Sequence, residues 1–416
     1  MDKDKDTDIV TAAHEGHDLT WWENDGNASF TEHTIDYYYS VFEVCADDID
    51  GDGDMDIFGV AYHLNEISWY ENDGNMSFTR RVLVQNYPGA HFVRTADMDL
   101  DGDRDIVTCN KDGGDVTWWE NIEYQVFERR DIDLSFYGCR QIEPFDFDFD
   151  GDIDILGAAE FINEIAWYEN LGDQVFQKRV IQSNYDAFWA KPFDFDNDGD
   201  LDVLGCGVGD FDISWWENDG NMNFSRNSID RNIPGPQSVE AADFDLDGDL
   251  DIVSAARYTS EISWWENENN SNFSKYYIRQ NYGYAVTVCP VDLDGDTDID
   301  LIGGAYSGDR MTWWENTLQT TSNSGDNIPS EFYLAQNYPN PFNSRTNIVF
   351  SLTRQSSISI AVYNVLGQRI AILFDGICPA GEHTIIWDAP WYPTGVYFVR
   401  LEADHISRSQ KTLLLK

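Results

Sequence analysis

Residues 41–84 read as four short runs in which apolar and polar positions alternate. Val41–Ala46 (strand a) leads into an acidic stretch, Asp48–Asp56, and Ile57–Tyr62 (b) and Glu66–Glu71 (c) follow. A turn, Asn72-Asp73-Gly74-Asn75, then opens Ser77–Val84 (d). Period two predicts strands, and no stretch carries a helical period. Asn and Gly tolerate positive φ, so the c–d connection is a hairpin turn. Strand c sends Ile67 and Trp69 to one face and Tyr70 to the other. Strand b is nearly all apolar, as in Ile252-Val253-Ser254-Ala255-Ala256. A sheet apolar on both faces must be covered on both.

The pattern repeats. Trp-Trp/Tyr-Glu-Asn recurs from Trp21, Trp69, Trp118, Trp167, Trp215, Trp264 and Trp313, at steps of 48 or 49 residues. A fixed period of this size marks a solenoid, an array or a propeller. Radially stacked four-stranded blades cover both faces of every sheet. Basic residues fall at matching places in strand d (Arg80/Arg81, Arg129/Arg130, Lys178/Arg179, Arg226, Lys275), where charge discourages edge-to-edge pairing. The prediction is an all-β chain with a seven-bladed β-propeller over residues 1–316. The first unit lacks strand a and the last lacks strand d. Roughly 25 upstream residues are expected to supply both, making Met1 an internal or truncated start and accounting for the missing signal peptide.

Charge changes the picture next. Residues 1–330 hold 19 basic and 70 acidic side chains, a balance of -51, whereas residues 331–416 hold 7 and 6. Such a segment repels nucleic acid and anionic membranes and attracts cations. With 14% aromatic residues it must be folded rather than disordered. No run of eighteen apolar residues is present to span a membrane.

The acid is concentrated in loops with Asp at positions 1, 3, 5, 7 and 9. They are Asp48, Asp50, Asp52, Asp54, Asp56; Asp97, Asp99, Asp101, Asp103, Asp105; and Asp146, Asp148, Asp150, Asp152, Asp154. The other three are Asp194, Asp196, Asp198, Asp200, Asp202; Asp243, Asp245, Asp247, Asp249, Asp251; and Asp292, Asp294, Asp296, Asp298, Asp300. Five carboxylates in nine residues repel strongly unless a cation sits among them. Oxygen-only ligands at alternate positions suit Ca²⁺. Gly53, Gly102, Gly151, Gly199 and Gly248 at position 6 allow the sharp turn. Positions 1, 3, 5 and 9 are expected to ligate through side chains, and position 7 through its carbonyl. The first repeat keeps only Asp2, Asp4, Asp6 and Asp8, with Lys5 at the Gly position, and is set apart from the six expected sites. The seventh carries Thr297 there, with Gly295 two residues earlier.

These loops resemble the FG-GAP/VCBS repeats, whose propellers include the calcium-binding blades of integrin α-chains. The resemblance covers residues 1–316 and implies a structural Ca²⁺ in each intact loop.

Two places could take a ligand. Opposite the acidic loops, the d–a loops carry Tyr38, Tyr87, Tyr137, Tyr185 and Tyr282, an aromatic platform for glycan or protein or else packing between blades. Strand a places Cys45, Arg94, Glu143, Lys191, Glu240 and Cys289 along the channel. Alternating charge predicts inter-blade ion pairs; the sharper reading is a polar ligand pocket of Arg94 and Lys191 beside Phe92 and Trp189. His14, His17, His33, His63 and His91 share no spacing and read as surface residues. The six cysteines read as small buried residues. There is no Gly-x-Ser-x-Gly, His-Glu-x-x-His or phosphate loop, so no catalytic residue is assigned. A binding or adhesion module is expected, with a polysaccharide-acting enzyme, its site in the channel or Tyr-rich face, as the alternative.

Residues 317–330 are a polar linker, and residues 331–416 alternate in short runs with Gly/Pro turns, predicting a small Ig-like β-sandwich. Asn337-Tyr-Pro-Asn-Pro-Phe-Asn343, Val362-Tyr-Asn-Val-Leu-Gly-Gln368, Ala380-Gly-Glu-His383 with Trp387-Asp388, Thr394-Gly-Val-Tyr-Phe398 and Lys411-Thr-Leu-Leu-Leu-Lys416 are similar to the type A C-terminal sorting domain of type IX secretion. That resemblance implies the type IX machinery as partner, and a secreted or outer-membrane-associated location.

Overall fold

One repeat folds as one antiparallel sheet. In the computed structural model, blade two consists of Val41–Asp47, Asp56–Ala61, Glu66–Asn72 and Phe78–Gln85, hydrogen-bonded in that order. The structure describes all residues except 5, 15, 27–28, 124–125, 173, 269–271, 308–309, 318–332, 338, 344, 353–355, 366–367, 379–380, 390–391 and 404–405. The chain divides into two units, Met1–Leu318 and Gln319–Lys416. Lys5 and nearly all of the expected linker lie outside the described residues.

Among the described residues, the first unit holds five four-stranded sheets between two three-stranded ones. The first sheet (Ile9–Ala13, Asp18–Asn24, Phe30–Asp36) has strands b, c and d; the last (Ala285–Val291, Asp300–Ala305, Arg310–Trp314) has a, b and c. These two sheets adjoin. The Asn24 amide donates to the Leu293 carbonyl at 3.0 Å, as Asn121 does to Ile49 and Asn316 to Phe244 in the preceding blades. The same bond thus joins sheet to sheet at three junctions, including the one between the first and last blades.

Strand c explains why both faces are apolar. Trp69 packs towards blade three, where it shares a core with Val93, Ile106 and Trp119; Trp167 does the same with Val203 and Trp216 of blade five. Each core therefore lies between two blades. Into the same seams run Tyr38, Tyr87, Tyr185 and Tyr282, all at most 1% exposed. Tyr185 meets Trp216 edge-on at 5.1 Å, and Tyr87 meets Trp119 at 6.4 Å. A strand-d cation caps three of these rings: Arg80 lies 4.5 Å over Tyr38 and pairs with Glu66, Arg129 lies 5.7 Å over Tyr87, and Arg226 lies 4.5 Å over Tyr185 and pairs with Asp212. This corrects the expectation of a ligand platform at Tyr38, Tyr87, Tyr185 and Tyr282. They are wedges, because hiding a whole ring between two sheets stabilises more than exposing it. Tyr137 sits one place later in its loop and is 46% exposed. Among the cysteines, Cys109, Cys139 and Cys206 are buried as expected, whereas Cys289 is exposed and Cys45 half-buried.

In the second unit, Tyr333–Leu334, Arg345–Leu352 and Gly381–Asp388 form one sheet. Arg369–Cys378, Ser356–Asn364, Gly395–Ala403 and Ile406–Leu414 form the other. Phe350, Ile360, Val362, Trp387 and Leu401 are buried in a common core. The Asn-Pro-Phe segment clasps the final strand: the Asn340 carboxamide oxygen accepts from Leu413 N (2.9 Å), Phe342 N donates to Leu413 O (3.0 Å), and Leu415 N donates to Phe342 O (2.8 Å).

Replacing Tyr185 with Ala should remove about 3–5 kcal/mol of unfolding free energy, while Tyr137→Ala should stay within about 0.5 kcal/mol of the parent. Denaturant titration of both variants checks this; equal tolerance at the two positions would contradict the wedge role.

Candidate functional site

The acidic loops draw their carboxylates inward. Asp48, Asp50 and Asp52 each place an oxygen within 4.8 Å of the others, as do Asp97/Asp99/Asp101, Asp194/Asp196/Asp198 and Asp243/Asp245/Asp247. In blade four the group is Asp146, Asp148 and Asp154. Backbone amides hold the arc: Gly53 N donates to Asp48 (3.0 Å), Asp52 N to Asp50 (3.2 Å) and Asp54 N to Asp52 (2.9 Å). The position-6 glycines take φ between 86° and 100°, as the sequence required, and Thr297 adopts 80° in blade seven. Position 4 is also left-handed, at Leu100 (61°), Phe149 (59°) and Leu246 (60°). Nothing in the sequence marks those apolar residues as strained, at a cost of roughly 1–2 kcal/mol each.

Position 9 does a different job from the one expected of it alone. Asp56, Asp105, Asp154, Asp202 and Asp251 are buried. In each, one oxygen accepts from the Asn of the Trp-Trp/Tyr-Glu-Asn motif (2.7–2.8 Å: Asn72, Asn121, Asn170, Asn218, Asn267). The other accepts from the amide at position 2 (3.0–3.3 Å: Ile49, Met98, Phe147, Phe195, Phe244). This carboxylate therefore rivets the loop to strand c. The Asn side chain adds its own tie, its Nδ2 donating to the position-8 carbonyl (Met55, Arg104, Ile153, Leu201, Leu250; 3.0–3.2 Å), which accounts for the Asn of the tetrapeptide.

The electrostatics follow from burial. Desolvation pushes Asp56, Asp105, Asp154, Asp202 and Asp251 up to about 7. Burial, then the neighbouring Asp101, lifts Asp103 to about 6, and burial with Asp296 lifts Asp298 to about 7. Meanwhile Oδ1 of Asp48, Asp97, Asp146 and Asp194 at position 1, and of Asp103, Asp200 and Asp298 at position 7, is buried without a hydrogen-bond donor. Inward-facing anionic oxygens lacking a proton donor fit a hard cation. The first loop differs: the Met1 amino group lies 2.7 Å from Asp8, and Lys3 reaches across to Asp54 of blade two (2.5 Å). A cavity of about 510 Å³ lies between the second and third loops, lined by Asp48, Asp50, Asp97, Asp103, Arg104 and Asn121 among others.

Along the channel, Arg94 bridges Glu43 (2.8 Å) and Glu143 (3.6 Å), and Lys191 bonds Glu240 (2.8 Å). Arg94 also stacks on Phe92 (4.1 Å), and the buried Phe92 meets Trp189 edge-on at 5.8 Å. Arg94 and Lys191 are thus engaged as inter-blade ion pairs, the broader of the two expectations. The reading of unconnected surface histidines is corrected: His14 and His63 lie 5.7 Å apart, and His91, packed against Phe42, is buried. Their sequence positions carry no common spacing because they come from a strand end, a loop and a strand start.

The FG-GAP-like repeat family matches residues 1–59, 48–108, 146–205, 194–254 and 243–303. A secretion system C-terminal sorting domain matches residues 336–415. Similar solved structures include an Agrocybe aegerita lectin that recognises non-reducing terminal N-acetylglucosamine (16% identity, TM-score 0.51, covering 92% of this chain and 94% of that one). A putative 6-phosphogluconolactonase from Bacteroides uniformis has 10% identity and TM-score 0.53, covering 74% and 92%. PorZ, a type-IX secretion surface component of Porphyromonas gingivalis, has 12% identity and TM-score 0.48, covering 96% and 56%. At these identities the likeness carries the fold alone. No curated protein matches the chain in sequence.

Carboxyls raised to about 7 in the folded state favour folding while protonated, so their contribution is lost as pH climbs through 7. Protein freed of divalent ions by chelator should therefore melt higher at pH 5 than at pH 8. A thermal melt series across that range reads the sign, and a chelated protein steadier at pH 8 would contradict it.

Proposed function

The chain belongs to the FG-GAP-like repeat family and ends in a type IX sorting domain that directs it to the cell surface or the extracellular space, and from that premise we propose a calcium-stabilised propeller that acts as a binding or adhesion module for glycan or protein. The observation that carries the metal assignment is the inward, donorless carboxylate oxygen at position 1, repeated in blades two to five. Positions 1, 3 and 5 would hold Ca²⁺ through carboxylates and position 7 through its carbonyl. Position 9 would close the cage from its rivet on strand c. Loops two to seven make about six sites of the extracellular kind, with Kd near 10⁻⁴–10⁻³ M. The role is structural: each ion neutralises a knot of like charge and fixes one blade's lower end.

The binding reading draws on the mixed aromatic and polar surface opposite the loops, where Tyr137 and Tyr284 stay exposed. An enzymatic reading remains the alternative for the same face, and turnover of purified polysaccharide separates the two.

Excess chelator should lower the melting temperature of the purified chain by ten degrees or more, and Asp99→Ala should remove one bound ion by metal analysis after dialysis. An unchanged melt, or a metal content well below one ion per intact loop, would sink the calcium assignment. Deleting Lys411–Lys416 should trap the chain on the periplasmic side of the outer membrane, read by cell fractionation. Glycan and surface-protein arrays with the calcium-loaded chain test the binding role; no hit on either beside measurable polysaccharide turnover would favour the enzyme.

A further inference from the structure

The loop aspartates and the strand-c tetrapeptide repeat their identity from blade to blade. Besides the inner-strand positions already paired along the channel, two rings of positions vary, and they meet at the channel mouth on the face away from the acidic loops. The first is made by backbone. Strand a of blades two to seven carries a register shift at one residue, which is Phe42, His91, Arg140, Phe188, Gln237 and Val286 in turn. A bulge re-aims a side chain that regular pairing would bury. The second ring follows strand b directly, and includes His14, Tyr62, Lys111, Glu160, Arg257 and Tyr306. Repetition is kept where it packs a blade or fills a loop; its abandonment here, on a repeated bulge, calls for a different explanation.

The side chains form one surface. Phe42 packs on His91 (4.5 Å), His14 (6.1 Å) and Tyr62 (6.4 Å), and His14 on Tyr306 (5.8 Å). Phe42 remains 40% exposed, so this half is an accessible aromatic platform. The other half is charged and fixed. Arg140 pairs with Glu160, which also takes Lys111 at 3.3 Å, and Arg140 donates to His91 Nε2 at 3.1 Å. Burial, then Arg140, holds the His91 pKa well below its usual value, so its ring is neutral and accepts that bond. Arg257 lies 5.1 Å over Tyr306 and 5.9 Å over Tyr284 and, among the described residues, forms no ion pair with a carboxylate. Asp112, Asp186 and Asp210 stand nearby, and Lys111 and Arg140 are engaged by Glu160, so Arg257 is the cation at this mouth whose partner is a ring rather than an acid.

We propose that this mouth binds the end of a saccharide chain bearing a carboxylate. The pyranose face stacks on Phe42, Tyr62 and Tyr306; Arg257 takes the carboxylate; and Arg140 with Glu160 meets a hydroxyl pair. This rests on the binding reading above and narrows it to one place and one ligand class.

The test uses the full, calcium-loaded chain and titration calorimetry with oligogalacturonate and hyaluronan fragments, beside neutral cello- and chito-oligosaccharides and a Glu-rich peptide. Arg257→Gln should weaken an acidic fragment roughly 10- to 100-fold and leave weak neutral-sugar binding unchanged. Phe42→Ala should weaken both roughly tenfold or more, and Tyr137→Ala neither. Unaltered melting temperatures exclude misfolding as the cause. Acidic-sugar binding that survives both variants overturns the mouth and leaves the binding module intact. Failure of every acidic sugar, or binding of the peptide alone, overturns the saccharide assignment, whereas the calcium and export measurements judge the broader reading separately.

Discussion

The structure depends on bringing like charges together. Each acidic loop folds its carboxylates to within hydrogen-bonding reach of its own amides, and that arc exists only because position 9 is anchored from below. The buried Asp56 carboxylate accepts one amide from the loop and one from strand c, so loop and sheet cannot move apart without stranding a buried charge. Strain at Leu100, Phe149 and Leu246 is carried on the same frame. Loops are ordinarily the soft parts of a fold; here they are braced as firmly as strands.

Between blades the currency is aromatic area. In most seams a ring from the d–a loop is driven in, met by a strand-c ring and capped, as at Tyr185, by an outer-strand cation whose partner is an acid at the start of strand c, while Ile233 fills the seam between blades five and six. Four layers of interaction thus recur with the repeat, and the charged cap lets a guanidinium cover a ring while its head stays wet. The channel adds Arg94 between two glutamates, drawing blades two, three and four together. Cohesion is spread around the wheel rather than held in one core.

Much of this was legible in the sequence. The blade count followed from tryptophan spacing, and the turns from Asn and Gly, because both are local rules applied seven times. Alternating charge at Arg94, Glu143, Lys191 and Glu240 foretold the ion pairs, since an inner strand brings equivalent positions face to face. What failed was the assignment of Tyr38, Tyr87, Tyr185 and Tyr282 to a surface. Loop tyrosines look alike in sequence whether they point outwards or into a seam, and a one-residue offset separates Tyr137 from the buried set. The histidines were missed for the opposite reason: His14, His63 and His91 converge through different elements, and the bulge that turns His91 leaves no local signature.

In the second unit, the last strand is held by the Asn-Pro-Phe segment some seventy residues upstream. A receptor scanning for this address therefore meets a finished surface, not a loose tail. Without Ile406–Leu414 the clasp has nothing to close on, so the label is legible only on polypeptide that carries this strand, and product truncated before it has no passport.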